Sequence, residues 1–338
     1  MPQEISRREF SMIVGAAVSA GVAVPRSLAA LVRHRRAPFF TWVDIDPRVR
    51  VATGAGGNAT VIRGPQDATL IDTKYFGLGD TLRREAEEFA GPLTAVVNTH
   101  HHPDHSGGNS AFGDLPLIAH ENGTERTSAT AQATMERIDD ADGFLEIIES
   151  RYGERLDDAS RGEIREFANA IGQLQVSDFV PDVTFQRWYA MDGLGQDVGL
   201  RYVSDGHTDN DAYLFLPEQN IMIAGDLLFH HLHPYMAPDD GTTSVGWQRC
   251  LAAMISTCDE DTRVVPGHGE LTDRTGLREQ SDYFDRLRDL VITAAEQGGT
   301  RENIVEMQVS EFEDYGFSNF LARQIRPTGP SVFPDELA

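Results

Sequence analysis

Four candidate metal ligands lie within the six residues from 100 to 105, which read His-His-His-Pro-Asp-His. Within this stretch, His100, His102, Asp104 and His105 form the pattern His-x-His-x-Asp-His. Imidazole and carboxylate groups together suit zinc, iron or manganese. Four such ligands so close in sequence cannot all reach one tetrahedral ion and still leave a position for water. The crowding therefore predicts two metal ions that share one site.

The segment before this cluster predicts where the cluster lies in the fold. Residues 94–98 form a short apolar run rich in β-branched residues, which predicts a buried strand. Three later apolar runs each lead into a histidine or aspartate that follows or adjoins a glycine, and these ligands are His207, Asp226 and His268. Because ligands are expected where strands end and loops begin, the four strand ends can converge on one site.

Four stretches of the sequence resemble those of a metallo-β-lactamase-fold hydrolase. They read THHHPDHSGG, GHTDND, AGDLLF and PGHG, in that order, within roughly residues 49 to 270. The resemblance implies an α/β fold, a four-layer αββα sandwich with the metal ions at one edge. By position, three residues of this chain resemble the family's ligands of the first metal, namely His100, His102 and His207. Three others resemble its ligands of the second metal, namely Asp104, His105 and His268. Asp226 resembles the carboxylate that bridges both metals.

A site of this kind is suited to hydrolysis. Two ions about 3.5–4 Å apart can hold a bridging water and lower its pKa, so that a metal-bridging hydroxide attacks an acyl carbon. Asp104 is expected to orient this nucleophile and to pass a proton to the leaving atom. We therefore expect a hydrolase with two Zn²⁺ ions, iron or manganese being the alternative metals. Its reaction would cleave an ester, thioester, lactone or lactam bond of a small molecule.

The residue at position 226 narrows the choice among the branches of this family. Zinc β-lactamases of the common class resemble the chain in the first motif but carry cysteine where Asp226 stands. The aspartate instead resembles glyoxalase II-like thioesterases, lactonases and related esterases. Two alternatives stay open. One is a zinc β-lactamase, and the other is a sulfur oxygenase similar to the persulfide dioxygenases, which use a single iron held by two histidines and one aspartate.

The first 29 residues resemble a twin-arginine signal peptide. Residues 6–10 read Ser-Arg-Arg-Glu-Phe, and a modestly apolar run follows from Met12 to Val24. This run is too short to be a transmembrane helix, although an uncleaved N-terminal anchor is the alternative. With cleavage after Ala29, residues 30–338 would form one catalytic domain, periplasmic or secreted, without stable membrane insertion.

The charge of the chain bears on its partners. The formal net charge is −24, and 28 of the 29 basic residues are arginine, Lys74 being the exception. Nucleic acids need a basic surface, so the charge disfavours them as partners. The expected partner is a small-molecule substrate, and no feature of the sequence predicts an oligomeric state.

Residues 121–178 interrupt the metal-binding pattern with a polar, acidic stretch of helical spacing. Within it, Phe144, Leu145, Ile147 and Ile148 predict one buried stripe. Two interpretations stand side by side: a helical pair packed on the edge of the fold, or a lid over the metals. The tail from residue 315 onward, rich in proline, predicts irregular structure.

The loop that follows Asp226 is expected to rim the substrate pocket. Its candidates for contact with substrate or for proton donation are His230, His231, His233 and Tyr235; alternatively, the loop only shapes the rim. Four further residues are candidate hydrogen-bond partners of the ligand imidazoles, namely Asp72, His120, Asp209 and Asp211. The alternatives are a surface or structural role for His120 and stabilisation of the local turn by Asp209 and Asp211. The two cysteines, Cys250 and Cys258, lie eight residues apart in a predicted helix, about 12 Å and too far for a disulfide.

Overall fold

The computed structural model describes residues 40–321, apart from residues 66, 139, 153–155, 157, 196–197, 237–241, 301–302, 305 and 308. The signal peptide expected at residues 1–29 lies outside the described residues. Within the described part of the chain, thirteen strands form two sheets, and seven α-helices accompany them.

The first sheet has seven strands in the order in which they occur in the chain. They are β1 (Thr41–Asp46), β2 (Val49–Thr53), β3 (Ala59–Arg63), β4 (Ala68–Ile71), β5 (Ala95–Val97), β6 (Leu117–His120) and β7 (Val183–Phe185). Neighbours from β1 to β4 are antiparallel, whereas β4 to β7 run parallel. Parallel neighbours need long crossovers, so the connections after β4 and β6 have room for helices.

The second sheet has six strands in the order β13-β12-β11-β10-β9-β8. They are β8 (Trp188–Ala190), β9 (Gly199–Tyr202), β10 (Ala212–Leu216), β11 (Ile221–Phe229), β12 (Arg263–His268) and β13 (Thr272–Asp273). Only β11 and β12 are parallel among these neighbours in the described sheet. Both strands therefore end on the same side, which brings Asp226 and His268 together.

The helices are α1 (Gly79–Ala90), α2 (Pro103–Ser106), α3 (Gly123–Arg137), α4 (Ala141–Tyr152), α5 (Asp158–Ala170), α6 (Ser244–Thr257) and α7 (Arg274–Glu296). None of them, within the described residues, combines the length and apolar character needed to cross a membrane. Cys250 in α6 and Cys258 just after it are both buried and unpaired, which confirms the prediction from helical spacing.

The two sheets pack against each other through a shared apolar layer. In β3, Ile62 joins this layer, while Val61 joins the cluster that contains Leu82 of α1. In β11, Ile223 likewise faces the inner layer, while Met222 faces the helices α6 and α7. This division follows because successive side chains of a strand point to opposite faces. The layers run helix, sheet, sheet, helix, and the predicted αββα sandwich is confirmed.

The insertion contains three helices, α3 to α5, so the expected helical pair is wrong in number. Phe144 and Ile148 of α4 are buried with Phe167 of α5 in the cluster on the outer side of the first sheet. Ile147 was expected in the same stripe but is 41% exposed. Its side chain projects to one side of the apolar face that α4 presents to the sheet, which corrects that part of the prediction.

Candidate metal centre

Seven side chains converge from four parts of the fold: the segment after β5, the loop between β9 and β10, the second half of β11 and the end of β12. One group of donor atoms, all within 4.8 Å of one another, comes from His100, His102, His207 and Asp226. A second such group comes from Asp104, His105 and His268. These are the seven residues that the sequence singled out as metal ligands, and the fold brings all of them together.

The first group has the spacing of donors around one ion. Nδ1 of His102 lies 3.1 Å from Nε2 of His100 and 2.8 Å from Nε2 of His207. Nitrogens bound tetrahedrally to one zinc ion are about 3.3 Å apart, given Zn–N bonds of about 2.0–2.1 Å. The three imidazoles therefore need to separate by only a few tenths of an ångström to share an ion.

The second group is arranged in a similar way. Nε2 of His268 lies 3.4 Å from Nε2 of His105 and 3.2 Å from Oδ2 of Asp104. A mixed set of two imidazoles and a carboxylate suits zinc, manganese or iron. The group can hold a second ion beside the first.

Asp226 contacts both groups. Its Oδ2 lies 3.3 Å from Nε2 of His207 and 3.5 Å from Nε2 of His268, and its Oδ1 lies 3.0 Å from Nε2 of His105. Gly267 gives this carboxylate its space, because a Cβ there would lie 1.9 Å from Oδ1. The carboxylate of Asp226 therefore lies within reach of the donor atoms of both groups.

Hydrogen bonds on the far side of the rings fix the tautomers of two ligands. Nδ1 of His105 donates to Oδ2 of Asp72 at 2.8 Å, and Nδ1 of His207 donates to the carbonyl of Tyr235 at 2.9 Å. Carboxylate and carbonyl oxygens only accept, so in each ring the proton is on Nδ1. In its neutral form each ring therefore presents the lone pair of Nε2 to the centre, as metal binding requires.

This arrangement leaves a buried acceptor without a donor. Oδ1 of Asp226 is buried and has no hydrogen-bond partner among the described residues. Its nearest neighbour is Nε2 of His105, 3.0 Å away. Burial acts to lower the pKa of His105, but Asp226 and Asp72 outweigh it and hold this pKa well above its ordinary value. The buried carboxylates therefore favour a positive charge at this position, which a divalent cation can supply in place of the proton. The residues present therefore fit divalent metal ions.

Burial and the neighbouring carboxylates shift the pKa values of the ligand histidines in opposite directions. Burial lowers the pKa of His207 to about 3 and holds that of His100 well below its ordinary value, so both rings are neutral at pH 7. Burial also acts to lower the pKa of His268, but Asp226 and Asp104 outweigh it and raise the value to about 9. Neutral imidazole is the form that binds metal.

A turn at residues 54–57 closes against the second group. A Cβ on Gly57 would lie 2.1 Å from the ring of His105, so the close approach requires glycine there. The turn is held by Lys74, which is fully buried and donates to three backbone carbonyls, those of Ala52, Gly54 and Gly57. Sequence reasoning missed this role, although a lone lysine among 28 arginines was a signal.

A cavity of about 800 Å³ opens onto the centre. Its metal-binding side includes His102, Asp104, Asp226 and His268, and its other walls are largely aromatic, with Tyr75, Phe229, Tyr235, Phe317 and Phe320. Ser150 of α4 and Asn319 add polar groups, so the insertion does contribute to the wall. Among the described residues that line the cavity, none is lysine or arginine.

Of the rim candidates, Tyr235 is the one that the fold brings to this cavity, with its ring 5.5 Å from that of His102. His233 is buried elsewhere, its Nδ1 lying 2.8 Å from the hydroxyl of Tyr283. His230 turns toward the carbonyl of Glu270, to which its Nδ1 donates at 2.9 Å. His230, His231 and His233 are all absent from the described lining of the cavity, so none of the three is placed to contact a substrate there.

The tail contributes residues that the sequence did not point to. Residues 318–320 form a 3₁₀-helix, which corrects the expectation of irregular structure there. The ring of Phe317 lies 5.6 Å from that of His268, and the ring of Phe320 lies 5.3 Å from that of Tyr235. The tail therefore forms an aromatic wall directly beside the metal ligands.

Only Asp72, of the four proposed partners of the ligand imidazoles, makes such a contact within the described structure. Asp211 accepts hydrogen bonds from the backbone and hydroxyl of Thr208, and Asp209 pairs with Arg126. The remaining candidate, His120, donates instead to the carbonyl of Gln186.

The family model of the Metallo-beta-lactamase superfamily matches residues 52–268. The chain belongs to this superfamily of metal-dependent hydrolases. The matched span begins in β2 and ends at His268, and so includes all seven candidate ligands.

Solved structures show the same fold. The DIM-1 metallo-beta-lactamase has a TM-score of 0.52 and 16% identity, with 72% of this chain and 95% of that chain covered. A metallo-beta-lactamase from Pontibacter korlensis has a TM-score of 0.52 and 18% identity, covering 72% and 97%. VMB-1 has a TM-score of 0.51 and 15% identity, covering 73% and 96%. The comparison with curated proteins gave no match.

Proposed function

We propose that the chain is an exported dinuclear zinc hydrolase that cleaves an ester, thioester or lactone bond of a small uncharged molecule. The observation that carries the proposal is the position of Asp226, whose Oδ2 lies 3.3 Å from Nε2 of His207 in one group and 3.5 Å from Nε2 of His268 in the other. One group supplies three imidazoles, and the other supplies two imidazoles and the carboxylate of Asp104. A mononuclear site would not need both sets.

Zinc ions held by these residues would acidify a water molecule and polarise the carbonyl of the substrate. The side chain of Asp104 lies at the boundary between the ligands and the cavity. An oxygen of its carboxylate can take a proton from the attacking water and then give that proton to the leaving oxygen or sulfur atom. Tyr235 lines the opposite side near His102, where its hydroxyl can donate to the carbonyl oxygen of the substrate.

The cavity walls support an uncharged, partly apolar substrate. Phe229, Phe317 and Phe320 can cover an acyl chain or ring, and burial of apolar surface contributes about 25 cal/mol per Å². A carboxylate on the substrate would need a cationic partner to offset the cost of desolvation. The described lining has no lysine or arginine to provide one. This favours neutral esters and lactones over anionic thioesters and β-lactams.

Asp226 itself supports the esterase, lactonase and thioesterase branch, because zinc β-lactamases of the common class carry cysteine at this position. Two of the solved structures named above are metallo-beta-lactamases, but identities of 16% and 18% support the fold and do not transfer that substrate to this chain. Export is supported by the arginine pair and the apolar run within residues 1–29.

The test is turnover of a substrate panel by protein reconstituted with zinc after chelation. A chromogenic neutral ester, a lactone, a thioester and a cephalosporin should be compared at equal concentration. The proposal predicts turnover of the ester or lactone that disappears on chelation and returns with zinc. Preferred cleavage of the cephalosporin would make the chain a β-lactamase. One iron per chain with oxygen consumption would make it an oxygenase.

Export has its own test. The full chain should appear in the periplasm or medium of a bacterium with a twin-arginine pathway. Replacement of both Arg7 and Arg8 by lysine should retain it in the cytoplasm, and an unchanged distribution would refute this part of the proposal.

A further inference from the structure

We propose that His230, His231 and Glu279 form a separate, peripheral site for a divalent metal ion. Nε2 of His230 and Nε2 of His231 lie 3.9 Å and 3.4 Å from the same oxygen, Oε2 of Glu279. One donor atom from each residue lies within 4.8 Å of the others. Two donors on one zinc ion are at most about 4.2 Å apart, twice the bond length. A small closure therefore places all three on one ion.

His230 is already oriented for this role. Its Nδ1 donates to the carbonyl of Glu270 at 2.9 Å, so the ring proton is on Nδ1. Its Nε2 then presents a lone pair toward the carboxylate of Glu279. Metal-binding histidines commonly make such a hydrogen bond with their second nitrogen, because it fixes the tautomer and the ring orientation.

The backbone segments that carry the three donors are held together independently of them. The side chain of Gln280, next to Glu279 in α7, accepts from the backbone of Phe229 at 2.7 Å and donates to the carbonyl of Leu227 at 2.8 Å. This buried amide fixes the first turns of α7 against the end of β11. The donor positions on α7 and after β11 therefore have a defined separation before any ion binds.

His231 completes the cluster from an unusual backbone conformation. Its φ of +55° lies in the left-handed region, which residues with side chains rarely adopt. This conformation reverses the chain so that the ring of His231 lies 4.2 Å from that of His230, with both facing Glu279. The ring is largely exposed, which leaves positions on the ion open to water.

The site also adjoins the aromatic wall of the main cavity. The backbone of Gly316 donates to the carbonyl of His231 at 3.1 Å and accepts from the backbone of His233 at 2.9 Å. Gly316 directly precedes Phe317. An ion at the peripheral site would therefore stiffen the loop on which this wall rests. Two imidazoles and one carboxylate select a borderline cation, Zn²⁺, Ni²⁺ or Cu²⁺, over Mg²⁺ or Ca²⁺.

Zinc content per chain tests the proposal, measured on untagged protein dialysed against buffers of rising free Zn²⁺. The wild-type chain should pass through a plateau of two and reach three. His231→Ala and Glu279→Gln should stop at two and keep wild-type turnover on the two-zinc plateau. Glu270→Gln is the matched control and should reach three, because Glu270 contributes only its backbone carbonyl.

Two outcomes overturn the proposal: a wild-type chain that never exceeds the content of its Glu279→Gln variant, or variants that retain the additional ion. Cu²⁺ gives a second readout, since its EPR spectrum should show nitrogen hyperfine coupling that His231→Ala reduces. The same measurement distinguishes an error in the proposed dinuclear centre from an error in the peripheral site. A wild-type chain that binds a single zinc, lost in His231→Ala but not in Asp226→Asn, would refute the dinuclear centre and support the peripheral site.

Discussion

Oδ2 of Asp72 lies 2.8 Å from Nδ1 of His105, and the same oxygen accepts a hydrogen bond from the hydroxyl of Thr99 at 2.8 Å. Since that hydroxyl proton points to Asp72, Oγ1 of Thr99 is left to accept from Nδ1 of His100, 3.1 Å away. One buried carboxylate therefore orients an imidazole in each of the two ligand groups. Asp72 therefore links the two ligand groups through hydrogen bonds on the side of the rings that faces away from the metal positions.

Replacement of Asp72 by asparagine should weaken metal binding by about 10- to 100-fold. The amide group would face the N–H of His105 and favour the wrong tautomer, while asparagine tolerates the φ of +64° at this position. Chelator competition measures the affinity, and circular dichroism checks the fold. Asp209→Asn, which alters an aspartate without contact to a ligand ring in the described structure, is the control. Equal affinities of both variants would contradict the role of Asp72.

Lys74 should contribute strongly to stability. In Lys74→Met most of the apolar stem is kept, but three carbonyls lose their donor, and each of the two buried ones, on Ala52 and Gly57, costs about 1–3 kcal/mol. We expect the free energy of unfolding to fall by at least about 2 kcal/mol, as measured by chemical denaturation. Arg249→Met, which removes an exposed ion pair with Asp205, should change it by less than about 1 kcal/mol. Comparable losses in both variants would refute the special role of Lys74.

The aromatic wall formed by Phe317 and Phe320 should affect the affinity for substrate more than the rate of bond cleavage. Phe320→Ala removes apolar surface that a bound acyl chain would cover, worth about 1.5–3 kcal/mol if fully buried. The KM for a long-chain ester should rise about tenfold or more while kcat changes little. Trp188→Ala, at the exposed edge strand β8, is the control. An effect confined to kcat, or the same KM change in both variants, would argue against the wall.

His120 should make stability depend on pH. Its ring stacks on Tyr202 with centroids 3.8 Å apart, and burial lowers its pKa. The unfolded chain then binds the proton more readily than the folded one, so this contribution is lost as pH falls through about 6.5, the ordinary histidine value. The stability advantage of wild type over His120→Gln should shrink between pH 7.5 and 5.5. An NMR titration that places the pKa at or above 6.5 would be inconsistent with this.

Much of the fold could be predicted because its signals are local. The buried strand expected within residues 94–98 contains β5, and the helix expected around Cys250 is α6. The seven candidate ligands were readable for a related reason. Each is a costly polar residue in or just after an apolar strand, with glycine nearby to allow close approach.

What could not be predicted depends on contacts between distant segments. The role of Lys74 arises from carbonyls on a turn of another strand pair, which no local pattern encodes. Phe317 and Phe320 reach the cavity because Gly316 bonds to the loop after β11. The same loop misled the expectation for His230 and His233, whose directions are set by Glu270 and Tyr283.

The most direct test of the dinuclear centre is anomalous diffraction at the zinc absorption edge from crystals grown with zinc. The account predicts two strong peaks on either side of the Asp226 carboxylate. One should be contacted by His100, His102 and His207, and the other by Asp104, His105 and His268. A single peak in this centre, or two peaks of which only one contacts Asp226, would contradict it.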